Sequence, residues 1–131
     1  IPRPVAAILA NPAILKIGAA TKDDIATLRH LTQFEPKNII DLQPIVHSYG
    51  VEQLGLKNLT ALFLGFKISK TQQLSNWENP VLTSQQQVYA ATDAWICYKI
   101  YKTIEQAGYL QNPPKVIIQP KTELDNTITA E

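Results

Sequence analysis

Leu82 to Gly108 reads L-T-S-Q-Q-Q-V-Y-A-A-T-D-A-W-I-C-Y-K-I-Y-K-T-I-E-Q-A-G, the longest stretch free of Pro and Gly until Gly108 closes it. Thr83 with Gln86 three residues on has the spacing of a capping box. Gly108 stands where a helix usually stops. The stretch is therefore expected to be one helix of roughly six or seven turns at about 3.6 residues per turn. Val88, Ala91, Trp95, Ile96, Ile100, Tyr101 and Ile104 go most of the way round it, which predicts a largely buried helix. Tyr89 and Asp93, four apart, share a face that continues through Cys97 and Ile100. A carboxylate on such a face is costly to bury without a cation, a metal or several donors. Asp93 therefore either points to solvent or faces a cation, and spacing alone leaves both open.

The whole chain has 131 residues, enough for one domain with a core. Net charge is +1, so no overall basic field marks a nucleic-acid binder and any such contact must be local. The single cysteine, Cys97, cannot form an internal disulfide. It reads as a small buried hydrophobe in a reducing, intracellular setting, cytoplasmic or, in a eukaryote, nuclear. No apolar run approaches the roughly 18 residues of a membrane span, and nothing reads as a signal peptide. The chain starts at Ile1 and contains no Met, which suggests a segment of a longer product.

Working outward from the long helix, Pro4 fits the first turn of a short helix through Ala10, ended by Asn11-Pro12. Ala13 to Ala20 is an apolar run read as a buried strand with Lys16 near its middle, and Gly18, Ala19 and Ala20 allow a close backbone approach. Thr21 is a good N-cap for a helix to about Thr32, whose first turn holds Asp23 and Asp24. Asn38 to Leu42 reads as a second short strand, and strand–helix–strand implies parallel pairing. Helical spacing returns from Leu42 to Tyr49, and again through Leu59, Leu62, Phe63 and Leu64 until Gly65. Phe66 to Pro80 is irregular and holds Ser75-Asn76-Trp77. The folded unit is expected over 1–110, with 111–131 an extended or disordered tail in which Val116-Ile-Ile118 could add an edge strand.

Several of these segments recur together and in order: Lys16-Ile-Gly-Ala-Ala-Thr-Lys-Asp-Asp24, Ile40-Asp-Leu42, Leu56-Lys-Asn-Leu59, Ser75-Asn-Trp77, Leu82-Thr83 and Tyr89-Ala-Ala-Thr-Asp93. Over about residues 1 to 110 the chain resembles the DEDDy 3′–5′ exonucleases, the class of ribonuclease D and of the exonuclease domain of the Werner syndrome helicase. The resemblance implies an α/β, ribonuclease H-like 3′–5′ exonuclease fold. This chain would be its helix-rich C-terminal two-thirds, with a short parallel strand pair. It also implies hydrolysis of phosphodiesters from the 3′ end of DNA or RNA, with four carboxylates holding two divalent cations, magnesium or manganese.

Residue by residue, Asp24 matches the second metal-binding motif, with Asp23 the neighbour if the register slips by one. Asp93 matches the last carboxylate of the third motif, and Tyr89 the tyrosine that orients or helps deprotonate the attacking water. Asp41 also falls at a recurrent position and is read as structural. Ser75, Asn76 and Trp77 are expected to pack beneath the site more than to touch substrate. Lys16, Lys22, Lys67, Lys70 and Trp77 are the candidates for nucleic-acid contact.

The family's first motif, Asp-x-Glu on a strand, has no counterpart here. No such pattern precedes Asp24, and the chain carries two of the four carboxylates. At most weak binding of one cation, and no robust activity alone, are expected. An uncovered strand edge is expected to self-associate or to take a partner segment. The competing reading is a non-catalytic nucleic-acid or protein binding module derived from the same fold.

Overall fold

Capping and turn chemistry decide where each element begins. The structure, a computed structural model, describes residues 1–111, and the predictions for Val116 onward fall outside them. Helix α1 (Arg3–Ala10) starts with Pro4 in its first turn and stops at Asn11. Strand β1 covers only Lys16–Gly18, not Ala13 to Ala20. The difference has a local cause: the Asn11 side chain accepts from Ala13 N at 2.8 Å and its carbonyl from Ile14 N at 3.3 Å, so a turn consumes the first residues of the apolar run. At the other end Ala20 turns left-handed, with φ 59°.

Helix α2 (Thr21–Leu31) crosses over to β2 (Ile39–Asp41), which pairs in parallel with β1 in the register Lys16 with Ile39 and Gly18 with Asp41. The second strand is shorter than predicted because Asn38 is left-handed, φ 53°, and Leu42 already belongs to the next helix. Among the described residues β1 and β2 pair only with each other. Helix α3 (Leu42–Ser48) and helix α4 (Leu56–Leu64) follow, the latter ended by a left-handed Gly65 at φ 75°. A single 3₁₀ turn (Thr71–Leu74) lies within the otherwise irregular segment that precedes α5 (Ser84–Gln106). Thr83 and Gln86 form the expected capping box at the start of α5, and Gly108 has φ 73° just past its end.

Thr21 is not an N-cap. The cap position is Ala20, which has no capping side chain, and Thr21 is the first helical residue. Asp41 substitutes from the end of β2. Its Oδ1 accepts from Ala20 N at 3.0 Å and Gln43 N at 3.0 Å, and its Oδ2 from Thr21 N at 2.8 Å and the Thr21 hydroxyl at 3.2 Å. One carboxylate thus caps α2 and α3 together and ties both to the strand end, the structural role expected of it. Gly18 fits the same corner, since a Cβ there would lie 2.5 Å from Thr21 Cγ2.

The core is built from α3, α4 and the C-terminal half of α5: Leu42, Val46, Leu59, Ile96, Ile100 and Ile104 are fully buried. Tyr49 joins them and donates its hydroxyl to the Tyr109 carbonyl. Helix α5 packs on α4, β1 and the 3₁₀ turn along one side only. The expectation of a largely buried helix is therefore corrected: Val88 is 65% exposed and Trp95 48%. On that outer side Trp95 stacks with Phe66 from the segment after α4 and lies under the Lys99 ammonium.

Candidate active site

The inward stripe of α5 changes character along its length. Ile104, Ile100 and Cys97 continue at helical spacing into Asp93, Tyr89 and Gln86, so the apolar C-terminal half gives way to a polar N-terminal half. Asp93 stands at the boundary. Burial alone pushes its carboxyl above the ordinary carboxylate range. No hydrogen bond donor or cation among the described residues compensates it. Burial likewise raises the Tyr89 phenol, and the Asp93 charge adds to the rise. The neighbouring Cys97 thiol is buried and raised, first by burial and then by Asp93, with a smaller contribution from Asp41. Cys97 lies near the Ala19 backbone and within reach of the Asp41 charge, one turn of α5 from Asp93.

Gln86 has a second role that its capping-box spacing did not reveal. It is 2% exposed. While its Oε1 accepts from Thr83 N at 2.9 Å, its Nε2 donates to Ser75 Oγ at 3.0 Å and to the Asn76 carbonyl at 2.9 Å. The amide therefore clamps the Ser75-Asn76-Trp77 loop onto the start of α5. The loop is braced within itself, because Ser75 Oγ and Trp77 Nε1 both donate to the Gln72 carbonyl, at 2.6 and 3.0 Å. The Trp77 ring then lies 6.0 Å from the Tyr89 ring, tilted by 49°. Trp77 thus packs against the tyrosine and keeps 37% of its surface exposed. The sequence signalled only the capping-box position of this glutamine, and its further partners lie about ten residues upstream across an irregular loop.

Asp24 and Asp23 both lie in the first turn of α2 and are exposed. They differ in face: Thr21, Ile25 and Leu28 are the half-buried positions, and Asp24, three beyond Thr21 and four before Leu28, belongs to that side. Asp23 projects about 100° away at helical spacing, which favours Asp24 as the inward carboxylate. It stands one turn along α2 from the Thr21 cap that Asp41 holds. The lysine candidates are scattered. Lys16 is engaged at the start of β1, its ammonium donating to the Asn11 carbonyl at 2.7 Å. Lys22 is exposed at the start of α2, Lys70 is exposed just before the 3₁₀ turn, and Lys67 lies on the loop after α4.

Carboxylate oxygens such as those of Asp24 and Asp93 are the ligand type that suits a hard divalent cation, and Asp93 is half-buried and uncompensated among the described residues; this alone makes no established metal site. The two are not a whole centre, since no group of three or more His, Cys, Asp or Glu residues that could hold a metal occurs among the described residues.

Comparison with known proteins gives the family. Residues 2–108 match the family model described as 3′-5′ exonuclease. Ribonuclease D of Haemophilus influenzae is 33% identical over 106 residues, which cover 79% of this chain and 26% of that protein. The human exonuclease 3′-5′ domain-containing protein 2 is 29% identical over 120 residues, covering 87% of this chain and 19% of that protein. Among solved structures, Brucella melitensis NrnC aligns with a TM-score of 0.67 at 30% identity, covering 80% of this chain and 52% of that one. The EXO domain of Aedes aegypti Nibbler aligns with a TM-score of 0.66 at 26% identity, covering 79% and 57%. The chain spans about a quarter or less of these curated relatives and little more than half of these solved chains. With an inward Tyr89–Asp93 pair on α5 and a family match over nearly all the described residues, the chain belongs to the 3′-5′ exonuclease family.

Proposed function

We propose that this chain supplies part of the active site of a metal-dependent 3′–5′ exonuclease that removes nucleotides from the 3′ end of a DNA or RNA strand. The observation that carries the reading is the half-buried Asp93 carboxylate, uncompensated by any donor among the described residues, one turn beyond Tyr89. A charge held there at a cost is what a metal ligand needs, because the cation removes the cost on binding. Asp24 and Asp93 would hold the metal, whose chemistry is to lower the pKa of a bound water and to neutralise the leaving 3′ oxygen. Tyr89, raised by burial and by Asp93, keeps its proton at neutral pH. A protonated phenol there would donate a hydrogen bond that orients the water. Trp77 and Gln86 hold the tyrosine in place and are positioning residues.

Two carboxylates do not make a two-ion centre, so we expect no robust activity from these residues alone, and at most weak binding of one cation. The remaining ligands would come from a segment that also covers the side of the β1–β2 pair left unpaired among the described residues; light scattering of the isolated chain tests the alternative, self-association. The activity test is release from a 3′-labelled single strand with Mn²⁺, comparing this chain alone with its full-length gene product. The expected outcome is cutting by the full-length protein only, abolished by Asp93→Asn. Strand binding without any cutting by the full-length protein would instead make this a non-catalytic binding module.

A further inference from the structure

The back of α5 carries an aromatic and cationic patch. At about 100° per residue Trp95 is turned about 200° from Asp93, so it faces away from the Tyr89–Asp93 pair. Phe66, from the segment after α4, stacks on it with ring centroids 6.4 Å apart and planes inclined by 30°. Both rings are exposed, and so is Tyr98, three residues on along the same side. The Lys99 ammonium lies 5.5 Å from the centre of the Trp95 ring, and no carboxylate pairs with it among the described residues. The acid on the turns that follow, Glu105, is bound to Lys102. The Trp95 indole N–H has no acceptor among the described residues. Helix α5 turns its opposite side toward β1, so a strand added to the sheet would widen it without covering this patch.

We propose that this patch is a docking surface for a single nucleic-acid strand, separate from the catalytic site and holding the strand upstream of its 3′ end. Exposed rings already stacked near parallel give a base a ready platform, and stacking is indifferent to sequence because every base has a planar face. The ammonium over Trp95 gives way to a base, since the base–aromatic stack is the stronger contact at an exposed site. Lys99 and the indole N–H then meet the phosphates beside the stacked base. Charge decides between occupants. A second copy of the chain would set Lys99 against Lys99, because a two-fold interface puts the same surface on both sides. A neutral apolar segment would cover the ammonium without a counter-charge. A phosphodiester strand brings planar faces and negative charge together. This contact needs neither metal nor cleavage, so it goes beyond the exonuclease reading and stands apart from it.

The test follows the Trp95 indole N–H signal of the ¹⁵N-labelled chain, told from that of Trp77 by its loss in Trp95→Leu. The chain is titrated with a thymidylate strand of about twelve nucleotides, and separately with a glutamate peptide of equal length. The strand is expected to shift the signal saturably, in wild type and in Asp93→Asn alike, and the peptide to leave it in place. Trp95→Leu is expected to weaken strand binding about tenfold, with the backbone spectrum otherwise preserved. Lys99→Gln, which leaves the aromatic pair intact, should lower the slope of log affinity against log salt by about 0.7, the share of one phosphate on a single strand. No shift with the strand, an equal shift with the peptide, a shift that vanishes in Asp93→Asn, or an unchanged salt slope in Lys99→Gln overturns the proposal. Cutting by the full-length protein reports on the catalytic reading separately. Cutting without a Trp95 shift removes the docking surface and leaves the exonuclease standing; a shift without cutting keeps the surface and removes the exonuclease reading.

Discussion

Replacing Asp41 tests the proposition that one carboxylate organises the corner from which α2 carries Asp24. Its two oxygens accept from Ala20 N, Thr21 N, the Thr21 hydroxyl and Gln43 N, at 2.8 to 3.2 Å. Asp41→Ala removes the caps of two helices at once. One cap is worth about 1 kcal/mol. Because the acceptor is charged, the combined loss is expected near 3 kcal/mol. Against a total stability of about 5–15 kcal/mol the variant stays folded. With a slope of about 1–3 kcal/mol per molar, its urea midpoint falls by roughly 1–3 M.

Asp41→Asn is the sharper probe. With the amide oxygen toward Ala20 N and Gln43 N, its NH₂ group faces the Thr21 N–H; turned over, it faces the other two donors. One oxygen cannot serve both sides, and about 1.5–2 kcal/mol should be lost. Amide hydrogen exchange locates the damage, since Ala20, Thr21 and Gln43 should lose protection before the Ile100 core does. A loss below about 0.5 kcal/mol for both variants would refute the double-cap account, because a single ordinary cap already exceeds it.

Gln86→Ala leaves the Ser75–Trp77 loop without its clamp, and a cost of about 2–4 kcal/mol is expected from the lost hydrogen bonds and the cavity. In a Trp95→Phe background, Trp77 emission should shift to the red as the ring leaves Tyr89; an unshifted spectrum would mean that the loop holds itself. For Asp93 the sign follows from a folded-state pKa raised by burial. The native state then binds this proton more tightly than the unfolded state, so its contribution is lost as pH rises from the ordinary carboxylate value through the raised one. In metal-free buffer, wild type should therefore gain stability relative to Asp93→Asn between pH 7 and pH 4. Mn²⁺ should raise the melting temperature of wild type alone. A wild type that instead loses ground to Asp93→Asn on acidification would show that burial does not govern this carboxylate.

Much of this architecture was readable locally. Helix α5 carries its start in Thr83 and Gln86 and its stop in Gly108, because a cap is satisfied within one turn and needs nothing distant. Gly50 and Gly65 mark chain reversals for a similar reason, as left-handed backbone favours glycine. The Tyr89–Asp93 spacing and the motif order around it sufficed for the family, and the parallel strand pair followed from strand, helix, strand.

Long-range partners were not readable. Periodicity says which residues share a face of α5 but not whether anything lies against that face, so Val88 and Trp95 were expected inside and are exposed. A β-run shows its apolar length but not the competing hydrogen bonds of Asn11, which cut β1 to three residues. Thr21 has the chemistry of an N-cap, yet the position went to Ala20 because a carboxylate 20 residues away in sequence reached the same amides. The residue types of the site are thus a property of the chain, set by spacing within one helix. Which amides Asp41 caps, what Gln86 clamps, and why Asp93 is desolvated depend on segments that only the folded backbone brings together.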